Sequence, residues 1–173
     1  NTSTTNLDIH DIARAVATFG LSGYYIVQPA PAQRELIGTL LKHWQYGFGA
    51  HYNPDRHEAL GKIGLVESIA AAKTEIAKIT GQPPKIIATS AKASPDMRGY
   101  AELRQEIWQS NTPYLLMFGT GWGLTDETIA EADCVLRPVY GAGSYNHLSV
   151  RSAVSIILDR LFGEGGAKFA QKF

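Results

Sequence analysis

Residues 114–162 read YLLMFGTGWGLTDETIAEADCVLRPVYGAGSYNHLSVRSAVSIILDRLF, and their order of patterns decides the fold. YLLMFG (114–119) is a short apolar run that breaks on Gly119, Gly121 and Gly123, as a buried strand does on entering a turn. LTDETIAEA (124–132) reads as a short helix, CVLRPV (134–139) as a second strand, and HLSVRSAVSIILDRLFG (147–163) as a terminal helix with apolar residues three and four apart. Strand, helix, strand, helix in this succession predicts parallel strands joined by crossover helices.

The same alternation continues upstream. KIIATSA (85–91) reads as a strand entered through Pro83 and Pro84, and MRGYAELRQEIWQS (97–110) as a helix. Leu65, Ile69, Ala72, Ile76 and Ile79 predict a helix over 65–80. GYYIVQP (23–29) reads as a strand, and Leu36, Ile37, Leu40, Leu41 and Trp44 place a helix over about 31–45. Ile9, Ile12, Ala13, Val16 and Phe19 predict a helix over 9–19, with Asp8 as N-cap and Gly20 as terminator. Tyr46 to Gly61 shows no clean period and is expected to be a long loop. The whole reads as one α/β domain, residues 1–173, with a mainly parallel sheet flanked by helices.

Composition narrows the classes of function. The 173 residues are 45% hydrophobic and 18% charged, as in a folded globular chain. Sixteen Lys and Arg against sixteen Asp and Glu give no net charge, so any contact with nucleic acid has to come from a local patch. No apolar run approaches the ~20 residues of a membrane span, and no secretory leader pattern is visible. The lone Cys134 can form neither an internal disulfide nor a cysteine zinc cluster, and in a predicted strand it reads as a core thiol. A cytoplasmic protein without a metal or a membrane partner is the expectation. The chain opens on Asn1 in a polar NTSTTN, from which a trimmed start is expected.

In open α/β sheets ligands bind at the carboxyl ends of strands, which directs attention to the loops after IIAT, LLMFG and VLRPV. The FGTGWG spacing is not the dinucleotide fingerprint, and no Walker lysine follows it. His147, near a helix start, is a candidate proton acceptor, with a structural histidine as the alternative. Arg151, one turn on, could meet a phosphate or lie on a solvated surface. Tyr46, Phe48, His51, Tyr52, Asn53, Arg56 and His57 mix aromatic rings with cations, the mixture that stacks splayed bases and holds an RNA backbone; a loop packing its own aromatics is the alternative.

Taken together, FGTGWGL, ADCVLRPV and SYNHLSVRSAVSIIL resemble the two C-terminal signatures of the SPOUT superfamily of S-adenosylmethionine-dependent RNA methyltransferases. NLDIHDIARAVATFGLSGYYIV is similar to the opening signature of its ribose-methylating branch, with Arg14 five residues before Phe19-Gly20, and IIATSAKA is similar to the strand and loop ahead of its knot. The resemblance implies a C-terminal deep trefoil knot, with knot and donor site in about 85–162, and a homodimer acting on tRNA or rRNA. The apolar residues Val150, Val154, Ile157, Leu158 and Leu161, too many for one sheet face, give a further reason to expect that dimer. Carried over by position, the methyl donor would lie against Thr89, Ser90 and Ala91, against Phe118, Gly119, Thr120, Gly121, Trp122 and Gly123, and against Leu136, Pro138, Leu148, Ser149 and Ser152. Arg14 and His147 would act on the acceptor, and Asn53, Arg56, His57 and Arg151 would hold RNA.

Two departures leave the acceptor atom open between a ribose hydroxyl and a base. The glycine loop carries no acidic residue before Asp126, where the ribose-methylating branch often has a glutamate. His147 stands where that branch has asparagine. Separately, the branch's first strand has no counterpart ahead of Arg14, which again leads to the expectation of a trimmed start. The competing readings are a donor-binding module without catalysis and an unrelated α/β nucleotide-binding protein.

Overall fold

Thr5 and Asp8 start the first helix by satisfying each other. Thr5 Oγ1 accepts from the Asp8 N–H at 3.2 Å, and Asp8 Oδ2 accepts from the Thr5 N–H at 3.1 Å, so two donors left over at the helix end are paired. Helix α1 therefore spans Asn6–Thr18 with Thr5 as N-cap; Asp8, expected in that post, is the third helical residue. Its end is as the sequence predicts. Gly20 adopts φ +70°, its N–H reaches Ala17 O at 3.1 Å and the Leu21 N–H reaches Val16 O at 3.0 Å, a Schellman closure.

The computed structural model describes residues 4–46 and 54–164. The chain falls into two compact units, divided between Glu75 and Ile76. In the N-terminal unit α1 is followed by β1 (Tyr24–Val27), α2 (Pro31–Tyr46), α3 (Pro54–Gly61) and β2 (Ile63–Val66), and the boundary falls inside α4 (Ile69–Thr80). β1 and β2 pair in parallel from Tyr24 opposite Ile63 to Val27 opposite Val66. Ile9, Ala13, Ile26, Ile37, Leu41, Ala59, Leu60 and Ile63 form the core.

Two sequence expectations need correction here. Leu65 is a strand residue, and the helix begins only at Ile69; the apolar spacing across 65–76 imitates a helix because strand and helix follow each other in phase. Gly64 is the residue that admits this strand. A Cβ there would lie 2.7 Å from Cε1 of Tyr25, its partner in the ladder, so the tyrosine ring occupies the space a side chain would need. The segment expected as a long loop contains α3, which Pro54 opens and which buries Ala59 and Leu60.

The C-terminal unit holds β3 (Lys85–Thr89), α5 (Tyr100–Gln109), β4 (Tyr114–Met117), α6 (Asp126–Ala130), β5 (Cys134–Leu136) and α7 (Val150–Phe162). Its strands are all parallel in the order β4-β3-β5. Ile87, Leu103, Leu136, Ile157 and Leu161 form the core beneath α5 and α7. The α/β class with helix-flanked parallel sheets is thus as expected, with the described strands divided into a two-stranded and a three-stranded sheet. α7 starts at Val150, later than the sequence suggests. Val154, Ile157, Leu158 and Leu161 are buried within the chain itself, so the surplus of apolar residues that suggested a second copy does not exist on this helix. Among the described residues no helix is long and apolar enough to cross a membrane.

At the amino ends of the strands Glu106 of α5 gathers three donors: Lys85 Nζ at 3.1 Å, Arg98 Nη2 at 2.9 Å and the Tyr114 hydroxyl at 2.9 Å. Hydrogen bonds from these groups hold its carboxyl down at about 2, from 4.5. A depressed carboxyl stabilises the fold fully above its unfolded value and loses that contribution as pH falls through the folded one. Urea unfolding should therefore show the advantage of the parent over Glu106→Gln to be full at pH 7 and to shrink as pH falls from about 4.5 toward about 2. A difference independent of pH would show that the carboxylate charge is not what binds α5 to the strand ends.

Candidate functional site

The carboxyl ends of the C-terminal sheet bring three loops together. Ala88 lies opposite Met117 and Thr89 opposite Leu136, so the chain leaves β3, β4 and β5 at one level. Thr89 Oγ1 donates to Met117 O at 2.8 Å, fastening the end of β3 to that of β4. Across the rim, Asn146 Nδ2 donates to Ala91 O at 2.8 Å, which joins the loop before α7 to the loop after β3. Asn146 had no assigned role in the sequence reading, because a contact 55 residues away leaves no local pattern. Ser90 closes its own turn by accepting from the Lys92 N–H at 3.0 Å.

The glycines of the β4–α6 loop have separate functions. A Cβ on Gly119 would run into the Gly123 carbonyl carbon and the Leu124 nitrogen, and would sit 2.7 Å from Gly123 Cα. The neck of the loop is closed backbone to backbone at that point. Gly121 and Gly123 take φ +59° and +91°, left-handed values that turn the tip outward. The Gly123 N–H reaches Thr120 O at 3.2 Å inside this tip. Trp122, expected among the donor contacts, has a fully exposed side chain, so only its backbone remains available to a ligand held between the loops.

The third group of expected donor residues divides. Leu136 and Pro138 are buried, with Leu136 in the core, and they can contribute backbone alone. Ser149 is the N-cap of α7: its Oγ accepts from the Ser152 N–H at 3.4 Å and lies 2.9 Å from Ser152 Oγ, so the two serines complete the helix start. Leu148 stays exposed beside them. His147, expected at the helix start, precedes the N-cap by two residues; it is exposed and lies edge-on to Tyr145 at 5.3 Å between ring centroids. Arg151 falls in the first turn of α7.

The remaining candidates lie in the N-terminal unit. Arg14 is on the exposed side of α1. One turn earlier His10 packs edge-on against Trp44, with centroids 5.0 Å apart, and its Nδ1 is buried without a hydrogen-bond partner. Burial first, then the charges of Arg56 and Arg14, hold the His10 imidazolium below its ordinary range. Arg56 and His57 belong to α3 rather than to a loop: the Arg56 guanidinium lies 5.5 Å from the Trp44 ring centroid and His57 Nδ1 lies 3.4 Å from Trp44 O. Sequence reading missed His10 and Trp44, although the four-residue step from His10 to Arg14 places both on one face of α1. Asn53, with Phe48, His51 and Tyr52, lies outside the described residues.

A cavity of about 200 Å³ lies at the opposite, amino end of the C-terminal sheet, lined by Lys85, Arg98, Glu106, Tyr114, Asp133 and Cys134 among others. Lys85 and Arg98 are committed to Glu106, Asp133 Oδ2 accepts from the Ile86 N–H at 2.6 Å, and burial pushes the Cys134 thiol up, away from the reactive thiolate. That is the chemistry of a structural ion-pair network. The core-thiol reading of Cys134 agrees with it.

Comparison with known proteins bears on both the fold and the chemistry. Residues 1–163 match the family described as SAM-dependent RNA methyltransferase. A curated relative from Nitratidesulfovibrio vulgaris, named tRNA (guanine-N(1)-)-methyltransferase, is 48% identical over 163 residues, covering 94% of this chain and 38% of the relative. The chain thus spans under two fifths of that protein. Among solved structures, a probable methylase family protein from Haemophilus influenzae matches with TM-score 0.65 at 17% identity, over 99% of this chain and 66% of that one. The TrmH/SpoU tRNA modifying enzyme from A. aeolicus matches with TM-score 0.57 at 19% identity, over 95% and 74%. The parallel α/β fold is shared with these solved structures, and the family match across nearly the whole length establishes that the chain belongs to the SAM-dependent RNA methyltransferase family.

Proposed function

We propose that the rim formed by the loops after β3, β4 and β5 holds S-adenosylmethionine, and that this chain transfers its methyl group to a tRNA. The observation that carries the reading is the fastening of the three loops into one rim by Thr89 on Met117 O and Asn146 on Ala91 O. The residues suit such a ligand: exposed backbone at Ala91, Gly121 and Gly123 can read the edge of an adenine without side chains in the way. The tRNA substrate is taken from the curated relative's name, and the guanine-N1 position in that name belongs to a protein more than twice as long. The trefoil knot within 85–162 and the homodimer are adopted from the resemblance, and a cytoplasmic setting from the lone Cys134. The dimer draws no support from α7, whose apolar face is covered.

When bound, the cofactor supplies a methyl group on a positively charged sulfur. The chain's own part would be to hold the donor between the three loops, to fix the acceptor oxygen or nitrogen in line with that methyl group, and to let the acceptor's proton pass to a base or to water. Arg14, a permanent planar cation, fits the task of fixing a phosphate or stabilising a developing alkoxide. His147, exposed beside the rim, can pass a proton to solvent. Arg56, His57 and Arg151 serve as RNA-side contacts in this reading, and Asn53 is kept with them by its position in the sequence.

Calorimetry with S-adenosylmethionine tests the donor site directly. Gly119→Val has to open the neck of the loop, and donor affinity should fall roughly tenfold or more, about 1.4 kcal/mol, with unchanged far-UV circular dichroism. Full affinity in a folded variant would remove the β4–α6 loop from the donor site. Arg14→Ala should bind the donor like the parent and methylate RNA from a strain lacking this gene about 100-fold more slowly, the scale of losing one electrostatic stabiliser. Normal turnover would return Arg14 to the solvated surface, and a parent chain that binds the donor but transfers nothing would favour the non-catalytic module. Sedimentation at micromolar concentration should give the mass of two chains, and a monomer would refute the dimer.

A further inference from the structure

The chain contains three tryptophans, and the structure holds two of them in place. Trp44 carries Arg56 on its ring and His10 at its edge; Trp108 donates its indole N–H to Leu161 O at 3.1 Å beneath Arg104. Trp122 differs from both, with 102% relative exposure. An indole can bury some 150–250 Å² against a partner, so a loop that presents one wholly to water forgoes its largest available gain.

This exposure is built into the backbone. The Gly119–Gly123 contact closes the neck of the β4–α6 loop, and the left-handed Gly121 and Gly123 on either side of Trp122 set the direction in which it projects. The chain around it, Thr120-Gly121-Trp122-Gly123-Leu124-Thr125-Asp126-Glu127, offers one half-buried apolar neighbour, Leu124, and not the ring of apolar residues that surrounds an aromatic anchor in a protein interface. Asp126 and Glu127 also make the neighbourhood unfavourable to phosphate. What remains attractive at this tip is a flat π face, and the flat π face that an RNA methyltransferase meets is an unpaired base.

We propose that Trp122 is a stacking platform for an unpaired base of the RNA substrate, placed beside the methyl-donor rim so that binding of the base positions the acceptor strand. The proposal rests on the donor reading above for the function of the rim, and on the exposure and loop geometry for the stacking itself. Because every base offers a π face, the contact tolerates sequence and contributes affinity rather than choice of nucleotide.

The test uses the full chain with unfractionated tRNA and with oligoadenylate. Trp122→Ala should weaken binding of both roughly fivefold or more, the span expected for one stacked base, while calorimetry gives donor affinity within about twofold of the parent. Trp122→Phe, which keeps a ring, should recover most of the RNA affinity. In the parent, RNA titration should quench indole emission, and that quenching should vanish in Trp122→Phe, in which Trp44 and Trp108 still report. RNA affinity unchanged in Trp122→Ala would overturn the proposal. So would donor affinity falling in step with RNA affinity, or conversion of a parent dimer to monomer, which would assign the indole to a second copy of the chain. A parent that binds RNA with Trp122-dependent quenching but fails to bind S-adenosylmethionine would sink the donor reading and leave the stacking intact.

Discussion

Pairing of β3 with two parallel neighbours is the constraint on which the C-terminal unit depends. A parallel ladder aligns carboxyl ends, so once β3 lies between β4 and β5 the three following loops must emerge together. Everything assigned to the donor site is a consequence of that alignment, refined by two side chains. Thr89 and Asn146 spend their hydrogen bonds on backbone carbonyls of neighbouring segments, a use of polar groups that sets the position of loops more than it adds stability. At the other end of the same strands Glu106 binds Lys85, Arg98 and Tyr114, so the sheet is fixed at the end where no ligand is proposed and left open where one is.

The absence of net charge constrains the RNA recognition proposed for this chain. A chain with sixteen charges of each sign generates no long-range field to gather a polyanion, so contacts must be local and of mixed kind. The N-terminal unit offers one such locality, where Arg56 covers Trp44 and burial, followed by the charge of Arg56, disfavours the His10 imidazolium. The exposed Trp122 in the C-terminal unit offers another, of a different character, because a stacked base requires no counter-charge.

Membership of the methyltransferase family and choice of substrate rest on different grounds. The family match runs over residues 1–163 and needs no help from the structure. The nucleotide in the curated relative's name is a property of that relative, of which this chain spans 38%.

Local patterns in the sequence determined the elements, because helix and strand periods are written in neighbouring residues. The strands at 24–27, 85–89, 114–117 and 134–136 lie within the predicted runs, as do the helix end at Gly20 and the parallel α/β class. The sequence failed where two elements share one phase, as at Leu65, and where a cap is reciprocal, as with Thr5 and Asp8. Glycines 119, 121 and 123 were legible as a turn, but which of them closes the neck and which aim the tip depends on backbone meeting backbone across the loop. The link from Asn146 to Ala91, the covered apolar face of α7 and the solvent-facing indole of Trp122 were decided by tertiary structure alone. Each is a relation between residues distant along the chain, or between a side chain and the space around it, and no local period records such relations.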